Sequence, residues 1–131
     1  MNHIMSIIKF TWEEFDNCAD MIADEIKKQG LLNKFTHIYG IPRGGLPLAV
    51  ALSHRLNKFL TTDSINVFRI SGRHILVVDD ISDSGKTLKE INPSLSATIH
   101  MVKDTAFRPT IHLLLKDKGD WIEYPWERKK E

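Results

Sequence analysis

The stretch that decides the fold is ILVVDDISDSGKTL, Ile75–Leu88. Its apolar run leads directly into the adjacent carboxylates of Asp79 and Asp80, and a third acid, two serines, a glycine and a lysine follow. A run that is apolar on both faces is typical of a central strand in a parallel sheet, which is buried on both sides. Because ligands of such sheets collect beyond the carboxyl ends of the strands, the acids are predicted to lie at a ligand site.

The rest of the chain alternates helical and extended patterns. The first helix, predicted over Trp12–Gln29, begins with a capping box in which Thr11 is the N-cap and Glu14 stands three residues later. The turn PRGG opens a second helix, and SGKTLKEIN opens a third. Short strands between helices predict an α/β fold with a mainly parallel central sheet flanked by helices. The strands are predicted at 37–41, 64–70, 74–80, 96–102 and 110–115, and the tail 117–131 is predicted to be irregular.

The composition is that of an ordinary globular domain. Of the 131 residues, 42% are hydrophobic and 27% charged, so 1–131 is predicted to be a single domain. The net charge of +1 gives no argument for nucleic acid as a partner. The single cysteine, Cys18, excludes an internal disulfide and a cysteine-rich zinc site. No apolar run approaches the ~20 residues of a membrane span and no signal-peptide pattern is present, so we expect a soluble, cytoplasmic protein without a membrane partner.

The acids and the loop after them suit different parts of one ligand. Two neighbouring carboxylates, Asp79 and Asp80, bind a hard divalent cation or accept hydrogen bonds from vicinal sugar hydroxyls. The small residues of 82–87 precede a helix, where backbone N–H groups and hydroxyls form an anion site to which Lys86 adds a positive charge. A phosphorylated sugar with a metal ion meets both demands.

Other interpretations of this segment are weaker. SGKT ends a nucleotide-triphosphatase P-loop, but that motif needs a glycine five positions before Gly85, where this chain has Asp80. A phosphate-accepting aspartate of a receiver-like domain leaves the Gly–Lys–Thr turn without a role. A plain capped turn accounts for any single residue but not for the whole string.

ILVVDDISDSGKTL resembles the phosphoribosyl pyrophosphate (PRPP) binding motif of the type I phosphoribosyltransferases. The resemblance implies that Asp79 and Asp80 meet the ribose hydroxyls directly or through magnesium (Mg2+), for which they would be the ligands. It also implies that Asp83 handles N7 of a purine base, and that the loop after it holds the 5′-phosphate. The implied phosphate-binding residues are Ser82, Ser84, Gly85, Lys86 and Thr87.

YGIPRGGLPLA resembles the pyrophosphate loop of the same family. In that loop Arg43, Gly44 and Gly45 would present backbone N–H groups to the diphosphate. The resemblance implies a non-proline cis peptide near Arg43–Gly44. An ordinary flexible turn is the competing explanation of RGG taken alone, and the neighbouring PRPP motif weakens it.

The end of the chain looks like the base-binding hood of the short bacterial xanthine–guanine phosphoribosyltransferases, through KDTAFRP and DWIEYPWE. The hood is predicted mainly over 103–131. The implied base contacts are Lys103 at the 6-oxo group, Trp121 stacked on the ring, and the main chain of Ile122. Packing of the tail on the core is the competing explanation for Trp121 and the favoured one for Trp126.

Two features depart from the family pattern. Enzymes of this family carry a long mobile lid between the strand before the PRPP motif and the motif strand. Here only SGR, 71–73, separates the two predicted strands, so the lid is predicted to be truncated and turnover to be slowed or diverted to hydrolysis. The sequence also stops soon after PWE, so part of the hood is expected to be missing or rebuilt.

The resemblance implies a Rossmann-like purine phosphoribosyltransferase of purine salvage, with Asp79, Asp80 and Asp83 as catalytic acids. It would transfer the 5-phosphoribosyl group of PRPP to guanine, xanthine or hypoxanthine, yielding a nucleotide and pyrophosphate. Lys103 would favour these 6-oxo bases, because adenine sets an amino donor against the ammonium. The alternatives are a PRPP- or nucleotide-binding protein with little catalysis, which a missing lid favours, and a transferase or hydrolase with a different acceptor. The family implies a homo-oligomer, either a dimer or a tetramer.

Overall fold

The computed structural model of the protein describes residues 6–63 and 74–128. The strand predicted at 64–70 and the turn at 71–73 lie outside these residues. None of the helices in this part of the chain is long and apolar enough to cross a membrane. A short 3-10 helix, Leu32–Lys34, precedes the second strand. In chain order the other elements are β1 Ile7–Lys9, α1 Trp12–Lys28, β2 His37–Gly40, α2 Leu46–Leu56, β3 Phe59–Thr61, β4 Ile75–Ser82, α3 Lys86–Ile91, β5 Leu95–Val102, β6 Ile111–Lys116 and β7 Trp121–Glu123.

The main sheet is parallel, with the strand order β3-β2-β4-β5-β6. The motif strand β4 lies at its centre, and the apolar run Ile75–Val78 is buried throughout. One face of the sheet packs against α1 and α2 in a large core cluster, and the other packs against α3 through Leu88. The run is apolar on both faces because both faces are covered. The predicted α/β fold with a mainly parallel sheet flanked by helices is confirmed.

The helices follow their sequence signals closely. Thr11 Oγ1 accepts a hydrogen bond from the Glu14 N–H at 3.1 Å, and the Glu14 carboxylate accepts one from the Thr11 N–H at 3.0 Å. The predicted capping box is therefore present at the start of α1. Cys18 is buried on the apolar face of the same helix. Pro47 lies in the first turn of α2, where its missing N–H costs no helical hydrogen bond.

A short strand that was not predicted, β3, precedes the predicted strand at 64–70, which lies outside the described residues. β3 occupies Phe59–Thr61 and pairs in parallel with β2 at the edge of the sheet. Its side chains give little signal, since Phe59 is 72% exposed and Thr61 is the buried member of the strand. The lid prediction itself falls largely on residues outside the described ranges.

A second, two-stranded sheet joins the two ends of the described chain, with β1 and β7 paired in parallel. We call β1 and β7 the hood strands. The prediction of an irregular tail is therefore wrong at Trp121–Glu123, and β1 was not predicted. β1 is exposed at all of its positions, so no apolar alternation marks it.

Candidate active site

The loop after β2 presses against the carboxyl end of β4. The Ile41 N–H donates to the Val78 carbonyl at 2.9 Å, and the Gly45 N–H donates to the Ile41 carbonyl at 2.8 Å. At Gly45 a Cβ atom would stand 2.5 Å from the Val78 oxygen, and at Gly44 it would overlap the Asp80 carboxylate. Side chains larger than that of glycine do not fit at these positions, so the loop lies directly beside the acids.

A cleft of about 640 Å³ opens between this loop and the acid pair. Its lining includes Arg43 and Gly44 on one element and Asp79 and Asp80 on the other. The peptide bond between Pro42 and Arg43 is cis, next to the Arg43–Gly44 bond near which the resemblance implied one. The tail adds Trp126, Glu127 and Arg128 to the lining.

The acid pair lies within β4, which runs on to Ser82 instead of ending at Asp80 as predicted. Asp79 Oδ1 accepts a hydrogen bond from the Asp80 N–H at 2.8 Å. Burial and the neighbouring Asp80 charge raise the pKa of Asp79 to about 8, and burial raises the pKa of Asp80 as well. Because burial disfavours two adjacent negative charges, the pair is suited to receive a cation or hydroxyl donors.

Beyond β4 the chain encloses a second hollow, of about 150 Å³, which we call the nest. Gly85 has a φ of +79°, and a Cβ there would stand 2.5 Å from the Phe107 nitrogen, so the turn requires glycine. The Lys86 N–H donates to Ser84 Oγ at 3.3 Å. The nest is lined by Asp79 and Ile81–Leu88, which include all the residues that the resemblance implied for the 5′-phosphate.

Ser82 differs from the other serine of the nest because it is buried. Its hydroxyl donates to the Phe107 carbonyl at 2.8 Å and lies 2.9 Å from Thr105 Oγ1. The Ala106 N–H donates to the Ser84 carbonyl at 3.0 Å. Ser82 thus holds the loop of 105–107 against the nest, and its hydroxyl proton is used in that hydrogen bond. The exposed hydroxyls of the nest are those of Ser84 and Thr87.

A third hollow, of about 150 Å³, lies between the acids and the hood strands, and we call it the hood pocket. Trp121 and Ile122, two of the predicted base contacts, line it. Lys103 lies elsewhere, on the exposed turn that follows β5. The lysine of the pocket lining is Lys116, the last residue of β6, which is 8% exposed. The remaining lining consists of Asp80, Ile81, Asp83, Asp120, Tyr124 and Glu127.

A buried hydrogen-bond chain joins the hood pocket to the acid pair. The Tyr124 hydroxyl donates to the Asp80 carbonyl at 3.3 Å, and His100 Nδ1 lies 2.9 Å from the same hydroxyl. Since the hydroxyl has one proton to give, His100 Nδ1 is the donor in this arrangement. Burial lowers the pKa of His100 to about 4, so its ring is neutral at physiological pH.

Trp126 belongs both to the core and to the site. Its ring stacks on Tyr124 with centroids 4.9 Å apart and meets the edge of Phe15 at 5.3 Å. Tail packing on the core, which the sequence favoured for Trp126, therefore describes its contacts, and the ring also lines the cleft.

Several lining residues were not predicted from the sequence. Lys116 directly follows the strand predicted at 110–115, which places it at the ligand edge of the sheet and is a signal that could have identified it. Glu127 borders both the cleft and the hood pocket, and its carboxylate accepts a hydrogen bond from the Tyr124 N–H at 2.9 Å. His100 and Tyr124 are hydrogen-bonded to each other, but they are 24 positions apart, so no local sequence pattern indicates the pair.

The comparisons with known proteins agree with this geometry. Residues 8–97 match the family model described as the phosphoribosyl transferase domain. The chain is 30% identical over 122 residues to an orotate phosphoribosyltransferase from Sulfurisphaera tokodaii, a match that covers 86% of this chain and 57% of that protein. It is 28% identical over 143 residues to a xanthine-guanine phosphoribosyltransferase from Cereibacter sphaeroides, covering 89% and 84%.

A solved structure has nearly the same extent. The purine phosphoribosyltransferase from Pyrococcus horikoshii matches with a TM-score of 0.74 at 25% identity, covering 95% of this chain and 97% of that one. Chain length therefore differs between relatives, since this chain spans little more than half of the orotate enzyme. The family model covers most of the chain and includes both the glycine loop and the acid pair. The chain belongs to the phosphoribosyl transferase domain family, as its motifs predicted.

Proposed function

We propose that the protein transfers the 5-phosphoribosyl group of PRPP to a 6-oxopurine base, releases pyrophosphate and so serves purine salvage. The observation that carries the proposal is that each of three acids borders two of the three hollows. Asp79 lines the cleft and the nest, Asp80 the cleft and the hood pocket, and Asp83 the nest and the hood pocket. A ribose that bears a diphosphate, a 5′-phosphate and a base needs three subsites that meet at the sugar.

The phosphates of PRPP would be held mainly by the backbone. In the cleft, the loop of Arg43–Gly45 would present N–H groups to the diphosphate, and the Arg43 guanidinium adds positive charge. In the nest, the N–H groups and hydroxyls of Ser84–Thr87 would hold the 5′-phosphate. Ser84 and Gly85 belong to the loop, and Lys86 and Thr87 to the first turn of α3, which is too short at Lys86–Ile91 for a large helix dipole.

A Mg2+ ion fits the acid pair. Asp79 and Asp80 offer hard oxygen ligands in one cleft, and burial raises the pKa of both carboxyl groups, an effect that a bound cation would oppose. Within 6–63 and 74–128, no group of three or more histidine, cysteine or acidic side chains is arranged to hold a metal. Further ligands would come from PRPP and water, which Mg2+ retains readily. When bound, the ion neutralises charge that develops on the diphosphate.

In the proposed reaction, the bond between C1′ and the diphosphate oxygen breaks and its electron pair leaves with the diphosphate. A ring nitrogen of the base forms the new bond to C1′. Backbone donors of Arg43–Gly45 would stabilise the departing charge. Asp83, which borders both the nest and the hood pocket, would receive the proton that the base loses from N7.

The base would lie in the hood pocket. Trp121 offers a flat aromatic face for stacking, which contributes about 1–3 kcal/mol for a nucleobase, and the Ile122 main chain would meet the base edge. The similarity to an orotate phosphoribosyltransferase makes orotate a second candidate acceptor. Assembly into a homodimer or tetramer, which the family resemblance implies, stays a prediction.

Pyrophosphate release with PRPP, Mg2+ and a panel of bases tests the proposal. The panel contains guanine, hypoxanthine, xanthine, adenine and orotate. We expect turnover with at least one 6-oxopurine and none with adenine. Turnover with orotate alone would show that orotate, and not a 6-oxopurine, is the acceptor. Tight PRPP binding without turnover of any base would favour the alternative of a nucleotide-binding protein with little catalysis.

A further inference from the structure

Two buried polar atoms on neighbouring strands lack hydrogen-bond partners. They are Thr98 Oγ1 on β5 and His112 Nδ1 on β6, and neither has a partner among the residues that the structure describes. Thr98 is 0% exposed, and its Cα pairs with that of His112 in the parallel register of the two strands. Buried polar atoms are nearly always hydrogen-bonded, since burial without a partner costs free energy. Two such atoms on paired residues therefore point to a shared partner.

A second polar pair between the same two segments is satisfied directly. Ser96 and Thr110 each lie two residues before the members of the first pair. The Ser96 N–H donates to Thr110 Oγ1 at 3.0 Å, and the Thr110 N–H donates to Ser96 Oγ at 3.0 Å. Of these two pairs, the one formed by Thr98 and His112 is therefore the pair that needs a further partner.

Thr98 and His112 share a face of the sheet with Asp79. Ala97 and Ile99 belong to the core cluster shared with α1 and α2, so Thr98 between them projects from the opposite face. His112 on β6 and Asp79 on β4 are the Cα partners of Thr98 on the two flanking strands. Partners in a parallel register project from the same face. We call the three side chains of Asp79, Thr98 and His112 the polar row.

The chemistry of the polar row suits a water molecule. The Asp79 carboxylate accepts a hydrogen bond from the Asp80 N–H and has further lone pairs. Burial and the charge of Arg108 lower the pKa of His112, so its neutral ring has one donor and one acceptor nitrogen. Thr98 has the shortest side chain and lies between the other two, on strands about 4.8 Å apart. A buried water makes about three hydrogen bonds, which matches a carboxylate, a hydroxyl and an imidazole.

We propose that an ordered water binds over Thr98 and links it to His112 and Asp79, which makes Thr98 and His112 positioning residues for the acid pair. The water fixes the orientation of the Asp79 carboxylate, as the hydrogen-bond partners of a ligand-binding carboxylate do in metal sites. The water site itself is independent of the proposed function, whereas its effect on PRPP binding rests on that function.

A high-resolution crystal structure of the wild-type protein tests the water directly. We expect one solvent peak within about 2.5–3.2 Å of Thr98 Oγ1, His112 Nδ1 and an oxygen of Asp79. The peak should disappear from Thr98→Val, which keeps the shape of the side chain and removes its hydroxyl. A wild-type map without a peak shared by the three side chains overturns the inference.

Urea unfolding separates a water-bound hydroxyl from an unpartnered one. If the water is bound, Thr98→Val leaves His112 Nδ1 without a partner, so the urea midpoint should fall below that of wild type. If the hydroxyl has no partner, the same substitution removes a buried unsatisfied group and the midpoint rises, which contradicts the inference. Neither this measurement nor the crystal structure requires turnover.

Calorimetric titration of PRPP in the presence of Mg2+ tests the positioning role. We expect Thr98→Val to bind PRPP about tenfold more weakly than wild type, as for the loss of a partner that orients a ligand-binding side chain. Thr98→Ser keeps the hydroxyl and should stay within about twofold of wild type. Ser96→Ala, at a buried serine outside the polar row, is the matched control and should also bind as wild type. Unaltered affinity in Thr98→Val, or an equal loss in Thr98→Ser, overturns the positioning role.

Failure of the proposed function gives a different result from failure of this inference. If wild type does not bind PRPP, the proposed function fails, and the crystal map and the urea midpoints still decide whether the water is bound. If wild type binds PRPP and the map shows no shared water, the inference alone fails. If Thr98→Val does not fold, the wild-type map decides on the water. His112→Phe, which removes the other partner, then takes its place in the PRPP titration with the same expected loss.

Discussion

The sheet edge and the hood are built in different ways. At the sheet edge, the cleft and the nest are formed largely by two contiguous segments, the loop after β2 and the chain from Asp79 to Leu88. The hood pairs β1 with β7, strands from opposite ends of the described chain, and its pocket draws side chains from β4, β6 and the tail. The comparison suggests that the part that holds the phosphoribosyl group is local and backbone-based, whereas the part that selects the base depends on tertiary assembly.

The largest expected effect is that of Asp83→Asn, because Asp83 borders both regions. Turnover should fall by about 10²–10⁴-fold, the usual contribution of a general base, while PRPP affinity changes little. Steady-state kinetics and a PRPP titration check this. Asp104→Asn is the control, since Asp104 is exposed and its 3.9 Å pair with Lys118 contributes little. Equal loss of turnover and PRPP affinity in Asp83→Asn would argue against the proposed role.

Next in size is the effect of Gly45→Ala on stability. The added Cβ would meet backbone atoms of Val78 and Ile41, which cannot move without shifting β4 or the loop. We expect a loss of about 3 kcal/mol in the free energy of unfolding, the upper end for overpacking. Gly30→Ala is the matched control: nothing lies within 4 Å of its added Cβ, so only its φ of +71° costs stability, by about 1 kcal/mol. Urea midpoints that rank the two the other way would contradict the packing account.

A smaller effect concerns pH and His100. Its pKa of about 4 in the folded protein lies below the usual value near 6.5, so the unfolded chain binds more protons between these values. Stability should therefore fall as the pH drops through this window. The Glu14 charge raises the pKa of His100 and so opposes the effect of burial, whereas the Lys116 charge lowers the pKa further. When the pH is lowered from 8 to 5, we expect the free energy of unfolding to fall by roughly 2 kcal/mol less in His100→Gln than in wild type. Urea unfolding at both pH values measures this, and parallel losses would show that His100 is not the group responsible.

The smallest effect is that of Tyr124→Phe, which removes the link between hood and sheet edge. The Tyr124 hydroxyl meets both His100 and the Asp80 carbonyl, so its loss should cost about 1 kcal/mol of stability. Tyr39→Phe, the same substitution in the core cluster on the other face of the sheet, is the reference. We also expect KM for the base to rise more than KM for PRPP. If only KM for PRPP changed, the Tyr124 hydroxyl would be shown to support the sheet edge and not the hood pocket.

The same contrast explains what the sequence could predict. Within each of the two segments at the sheet edge the site residues are neighbours in sequence, so the PRGG turn locates one set and the strand signal with its turn locates the other. The capping box of α1 was predictable for the same reason, because its two residues are three positions apart. Interactions that are local in sequence leave a local pattern.

The parts that were missed depend on distant partners. β1 is exposed along its length and gains its order from β7, so no window of sequence contains both. β3 was not predicted because two of its three side chains are exposed, so its sequence carries little signal of a buried strand. Lys116 could be placed at the sheet edge, but its burial follows from the hood pocket that surrounds it.

A titration of PRPP tests the central claim, that the sheet edge holds the phosphoribosyl group while the hood selects the base. Calorimetry in the presence of Mg2+ would compare wild type with the double variant Asp79→Asn/Asp80→Asn and with Trp121→Leu. We predict that the double variant binds PRPP at least about tenfold more weakly, since charged contacts are lost, and that Trp121→Leu stays within about twofold of wild type. Equal weakening by the two changes, or unaltered binding by the double variant, would contradict the account.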